Sequence, residues 1–351
     1  MSIPAPDPEP TTSRTELLII GAGPAGLFAC FYAGMRGLGV TLLDSLPHLG
    51  GQVAALYPAK EIFDVAGFPA ITGQSLVDRL VWQARLAEPV IRLNEGAGAL
   101  DHGPDSVTVS TSSGHRIRAG AVLITAGIGR FTPRPLPALE NHHGSGVHHV
   151  VAAPEEYAGR DVVIVGGGDS AVDWANTLAP HARRVTLVHR RKRFSAHEHS
   201  VNQLMESTVQ VLTNSEIAEV HGAGQVEAVT VRDHGTQALA RLDADVVIPA
   251  LGHIASLGAL KDWGLNLSGQ QIEVRTDMST GVDRVYAAGD ITTYPGKVRL
   301  MAVGFGEAAT AVNNLAALLR PGLDVFPGHS SDRAHRPIPP HPQEEATTWR
   351  M

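Results

Sequence analysis

With 351 residues, 43% of them apolar and 18% charged, the chain has the composition of a soluble globular protein and is long enough for two domains. A net charge of −7 argues against a general nucleic-acid binder, and no apolar run approaches the roughly 18 residues that span a membrane. The single cysteine, Cys30, excludes an intramolecular disulfide, and with it a redox dithiol within one chain.

Residues 1–15 are proline-rich, lack the apolar core of a secretory signal, and read as a disordered arm, which implies a cytoplasmic protein. Glu16-Leu17-Leu18-Ile19-Ile20 then reads as a buried parallel strand, followed by Gly21-Ala22-Gly23-Pro24-Ala25-Gly26 and a helix from Leu27 to Gly37. In a strand–turn–helix context the three glycines have separate tasks: Gly21 for the tight turn, Gly23 for approach of a pyrophosphate to the backbone, Gly26 for close helix–strand packing. Asp44 ends the next apolar run, where a ribose-binding acid belongs. Cys30 lies on the first helix, as a small core residue or as a reactive thiol. Residues 50–69, rich in small and turn-forming types, suggest a loop over a bound ligand. Residues 74–87 have helical spacing, and 90–124 read as strands that end in the turn Thr125-Ala126-Gly127-Ile128-Gly129.

After a proline-rich stretch at 133–137 the pattern restarts. Asp161-Val162-Val163-Ile164-Val165 leads into Gly166-Gly167-Gly168-Asp169-Ser170-Ala171 and a helix from Val172 to Leu178, a second dinucleotide site. Its next strand, residues 185–188, ends not on an acid but on His189-Arg190-Arg191-Lys192-Arg193. Arginine forks accommodate a 2′-phosphate, so this site should prefer NADP(H) to NAD. Residues 209–248 alternate as strands, residues 285–287 deliver Gly289 and Asp290 to a turn, and a helix is expected over 304–319.

These features together resemble the two-domain pyridine-nucleotide flavoproteins. The arrangement is similar to thioredoxin reductase without its C-x-x-C pair. Bacillithiol-disulfide reductase carries a cysteine in the first glycine turn, where this chain has Ala25. The best resemblance is to the thioredoxin-reductase-like ferredoxin (flavodoxin)–NADP reductases of bacteria. It rests on Gly50-Gly51-Gln52, Leu56-Tyr57-Pro58, residues 64–69, residues 166–175, residues 196–200, Ala287-Ala288-Gly289-Asp290 and Gly304-Phe305-Gly306-Glu307-Ala308.

The resemblance implies an α/β fold of two Rossmann-like three-layer domains. A discontinuous FAD-binding domain (16–132 and 250–331) would hold an inserted NADP-binding domain (133–249), with an irregular tail at 332–351. It implies that FAD is held by Gly21, Gly23, Pro24, Ala25, Gly26, Asp44, Gln52, Tyr57, Ala97, Phe131 and Asp290. Tyr57 would stack on one flavin face, with His329 and Ser331 covering the other. NADP would be held by Gly166, Gly168, Asp169, Ser170, Ala171, His189, Arg190, Arg191 and Arg193. Ser195 stands where relatives often carry a third arginine, which leaves Lys192 or Arg193 to substitute. No catalytic side chain and no metal are required, because hydride transfer is the cofactors' chemistry. The implied partner is a small acidic electron carrier, ferredoxin or flavodoxin. Arg183, Arg184, Arg190, Arg191 and Arg193 supply local positive charge. A homodimer is implied, with neither nucleic acid nor membrane as partner. A non-catalytic NADP redox sensor is the reading from another class.

Overall fold

The computed structural model describes residues 12–329 except 141, 143 and 152; most of the expected arm, the tail 332–351 and Ser331 lie outside them. The chain forms two compact units, one from residues up to Arg130 together with those from Ala255 onward, the other from Phe131–Ile254. The crossings fall two residues before and five after the expected 132/133 and 249/250. They lie within the short strands Arg130–Pro133 and His253–Ser256, which pair with each other and so carry regular structure across both junctions.

In the first unit a seven-stranded sheet is centred on Thr12–Ile20 and Arg116–Ile124, which run parallel. Val40–Leu43 and then Val90–Arg92 extend it on one side. On the other side Arg116–Ile124 is shared: its first half pairs antiparallel with Val107–Thr111, its last three residues pair parallel with Val285–Ala287. The first strand begins at Thr12 rather than Glu16, because Thr12 to Thr15 find backbone partners on Arg116 to Ala119, so the expected arm is partly sheet.

The apolar runs are buried on both faces, as a parallel sheet covered on two sides requires. Leu17, Ile19, Leu42 and Leu123 pack with the helices Pro24–Met35, Gly73–Arg85 and Met301–Leu319. On the opposite face Leu18, Ile20, Leu43, Val122 and Ile124 pack with Leu257, Leu260, Trp263 and Ile272.

The second unit has a four-stranded parallel sheet, in the order Gln210–Thr213, Arg184–His189, Asp161–Gly166, Val246–Ala250. Val162 and Ile164 face a core shared with the helices Asp169–Leu178 and Glu198–Glu206; Val163 and Val165 face the antiparallel sheet Ser215–His221, Ala228–Asp233, Leu239–Asp243.

One expectation fails locally. Residues 50–56 are not an extended loop: Gly51–Leu56 is a short helix with Gly51 and Val53 buried. Its two glycines suggested a loop, but they serve a close approach. Gly50 and Gly51 both have positive φ, and a Cβ on Gly51 would lie 2.8 Å from the Cα of Gly23.

Candidate dinucleotide sites

The two glycine turns are built alike. Each lies between a parallel strand and the N-terminus of a helix. A Cβ on Gly21 would meet the Thr125 carbonyl oxygen at 2.6 Å, and one on Gly166 would meet that of Ala250 at 2.3 Å, so each first glycine lets a neighbouring strand end pass. At the third position a Cβ on Gly26 would lie 1.9 Å from the Gly21 oxygen, whereas the second turn accommodates Ala171, fully buried. The middle glycines differ from both. A Cβ on Gly23 would meet nothing nearer than the Gly51 Cα at 3.9 Å, and one on Gly168 nothing nearer than Ser195 Oγ at 3.8 Å. That open cradle lies at helix N-termini that no side chain caps, where free N–H groups and the helix dipole favour an anion. The donor set fits a pyrophosphate at each turn.

Around the first turn the structure gathers residues from both ends of the chain. The Asp44 carboxylate accepts from the N–H groups of Ala22 (2.6 Å) and Leu46 (2.8 Å), which fixes it beside the glycines. Burial pushes its carboxyl above the usual range, opposed by those two donors and by His48. Thr125, at the start of the turn Thr125-Ala126-Gly127-Ile128-Gly129, donates its hydroxyl to the Gly21 oxygen at 2.7 Å. The Gln52 amide lies against Gly127. Gly289 packs on Ala25, where its Cβ would be at 3.1 Å, and on Gly304. Tyr57 is half-buried; burial first, then the charges of Asp290 and Asp64, push its phenol up, so Tyr57 feels the late turn from across the chain. Asp290 itself is exposed. Ala97 begins the strand Ala97–His102.

Three further implied flavin ligands complete the set. Phe131 belongs to the second unit, where its ring meets His253 edge-on at 5.5 Å. His329 is exposed and edge-on to Phe326. Ser331 lies outside the described residues.

At the second turn Arg190, Arg191, Lys192 and Arg193 are all exposed, on a short loop after the strand. His189 is buried instead. Its ring packs over Gly167, stacks on Phe194 at 5.0 Å, and pairs through Nε2 with the Arg193 carbonyl at 2.9 Å. Ser195 donates both its N–H (2.8 Å) and its hydroxyl (3.2 Å) to the Gly167 oxygen. His189 and Ser195 therefore pin the basic loop to the glycine turn from its two ends. Asp169, at the start of the helix, accepts from the His197 N–H at 2.9 Å, and Ser170 is exposed.

Arg183 and Arg184 are not available as free positive charge: both are ion-paired with Asp161, at 2.9 and 2.7 Å, and they hold its carboxyl below the usual range. Cys30 is fully buried, and burial pushes its thiol up to about 12, which makes it a core residue rather than a reactive thiol. Among the described residues no cluster of three or more His, Cys, Asp or Glu could hold a metal, and no helix is long and apolar enough to cross a membrane.

Glu307, named in the sequence only within a matching stretch, is a buried acid whose carboxylate bonds Lys297 and the Gly289 N–H. It lies on the buried stripe of Met301–Leu319 with Gly304, Ala308, Ala311 and Leu315. A charge on the apolar face of a helix was the available signal.

Two glycine turns of one design, each after a strand with parallel neighbours in its own sheet, define a two-dinucleotide oxidoreductase. The chain belongs to the pyridine nucleotide-disulphide oxidoreductase family, whose pattern matches residues 15–313. It is 54% identical over 315 residues to a ferredoxin–NADP reductase of Frankia alni, covering 90% of this chain and 98% of the relative. To a ferredoxin–NADP reductase of Thermus thermophilus it is 49% identical over 327 residues, covering 92% and 98%. Thioredoxin reductase from T. acidophilum superposes with a TM-score of 0.73 at 25% identity, covering 87% of this chain and 98% of that one. A bacillithiol disulfide reductase from Staphylococcus aureus shares the fold at TM-score 0.69 and 16% identity, covering 87% and 99%.

Proposed function

We propose that this chain is a ferredoxin–NADP reductase, exchanging electrons between NADPH and a small one-electron carrier through bound FAD. Bound FAD would supply hydride acceptance and one-electron release, while this chain supplies position and electrostatics. The observation that carries the reading is the pairing of two equivalent nucleotide turns with a lone, buried cysteine. The family name includes disulphide chemistry, but one inert thiol gives this chain no internal disulfide to reduce.

In this reading the turn from Gly21 to Gly26 (Gly21, Gly23, Pro24, Ala25, Gly26) binds the FAD pyrophosphate. Asp44 holds its adenosine ribose, Gln52 and Tyr57 border the flavin, Ala97 flanks the adenine, and Asp290 meets the ribityl chain. Phe131, His329 and Ser331 complete the seat. Gly166, Gly168, Asp169, Ser170 and Ala171 form the NADP pyrophosphate turn, and Arg190, Arg191 and Arg193 take the 2′-phosphate. Exposure of those three arginines, with His189 buried beneath them, supports that division: the arginines bind and His189 positions. The carrier is an acidic ferredoxin or flavodoxin, and the enzyme is a cytoplasmic homodimer. NADPH-driven cytochrome c reduction should rise severalfold when ferredoxin or flavodoxin is added. Equal rates without either carrier would overturn the acceptor class, and a monomeric mass by light scattering would overturn the dimer.

A further inference from the structure

The turn that delivers Asp290 is held by a buried ion pair that the proposed chemistry does not use. Glu307 and Lys297 are 4% and 6% exposed at the side chain and bond directly to each other. Glu307 Oε2 accepts the Gly289 N–H at 2.8 Å. Lys297 Nζ donates to the Gly289 carbonyl at 3.1 Å, an oxygen that also accepts the Thr292 hydroxyl at 2.8 Å and the Thr292 N–H at 3.0 Å. Thus both backbone polar atoms of one glycine are held by the two halves of one salt bridge. Tyr294 donates its hydroxyl to the same Glu307 oxygen as Lys297; burial and that carboxylate push its phenol up to about 12, so it stays a donor. Gly289 has φ +83, and on its other side it packs on Ala25 of the first glycine turn and on Gly304 of the last helix.

Two buried charges cost several kcal/mol to desolvate, and well-packed apolar residues of the same volume often serve stability as well or better. Stability alone therefore accounts poorly for the pair. What the pair does supply is a fixed peptide: a glycine in a left-handed conformation, gripped at N–H and C=O, immediately before Asp290 and against the first turn.

We infer that Glu307 and Lys297 are positioning residues for FAD, acting through the Gly289 peptide to hold Asp290 at the flavin seat. The inference rests on the reading of Asp290 as a flavin contact. Gly289 packs on Ala25, so the clamp also joins the turn after the strand Val285–Ala287 to the first glycine turn.

The test is FAD binding to deflavinated protein, followed by flavin fluorescence, with the thermal midpoint of each apoprotein measured alongside. E307Q should weaken FAD about tenfold or more, because its amide no longer attracts Lys297 and leaves that ammonium unpaired. K297M should also weaken FAD, and it provides a second reading if E307Q does not fold. E307Q/K297M should bind FAD more tightly than either single variant, since neither charge is then orphaned. D290A should weaken FAD, and D290A/E307Q should be within about twofold of D290A alone, the non-additivity of residues acting through one contact. Unchanged FAD binding in E307Q and K297M beside a weakened D290A, or full additivity of D290A and E307Q, would overturn the clamp. Unchanged binding in D290A would overturn instead the role of Asp290 on which the clamp depends. Lower apoprotein midpoints with FAD affinity intact would assign the pair to stability alone.

Discussion

Gly23 and Gly26 are identical residues three positions apart, yet the structure gives them opposite sensitivities. A methyl group at Gly26 would overlap the Gly21 carbonyl at 1.9 Å and the Thr125 hydroxyl at 2.7 Å, so backbone must move. Gly26→Ala should cost the first unit about 3 kcal/mol or more, seen as a lower midpoint in denaturant. Gly23→Ala meets no atom nearer than 3.9 Å, and its φ of −73° suits alanine. It should fold with near-normal stability and yet bind FAD poorly, because the methyl group occupies the face left open for the pyrophosphate. Equal FAD affinity in Gly23→Ala and the parent would refute that use of the cradle. The sequence pattern named both glycines, but the distinction between packing and open space depends on how the turn folds back on the Gly21 carbonyl and against Thr125 from a distant strand end.

At the scale of elements, the second unit's parallel sheet begins at a charged knot and ends at a basic loop. Asp161 opens its strand with its side chain 5% exposed, ion-paired with Arg183 and Arg184. Its carboxyl is lowered in the fold, so the stabilisation is fully present above the unfolded aspartate value near about 4 and is lost as pH falls through the lower folded value. Asp161→Asn should destabilise the second unit by ~1–2 kcal/mol at pH 7, kept low because both arginines are half in solvent. The difference from the parent should close in acid; a gap that persists at pH 2 would rule out the ionic origin. At the far end of the neighbouring strand Arg184–His189, Arg190→Ala/Arg191→Ala should raise KM for NADPH about tenfold or more and leave KM for NADH almost unchanged. A parallel rise for NADH would place these arginines elsewhere than on the 2′-phosphate. The loop's charge was plain in the sequence, whereas its anchoring by His189, Phe194 and Ser195 to Gly167 was not. Ser195 had looked only like a missing arginine.

For the whole molecule, the one cysteine decides how electrons can leave. Cys30 is enclosed in the first unit's core with its thiol pushed up to about 12, far from thiolate at neutral pH. Cys30→Ala should retain carrier-linked turnover within about twofold and lose only the ~1 kcal/mol expected for a small buried side chain. Loss of carrier reduction with FAD still bound would show that the thiol lies on the electron path. The sequence by itself determined the number of nucleotide turns, their strand–turn–helix setting, the basic character of the second and the absence of a dithiol. All four are local patterns or counts, which depend on residues a few positions apart. Only the tertiary structure decided that residues 51–56 coil into a helix against Gly23, that Arg183 and Arg184 are already paired, and that Glu307 and Lys297 grip Gly289 against Ala25. Those outcomes come from close approach of segments far apart in the chain and from charges meeting across 10 to 23 positions, which no periodicity along the chain encodes.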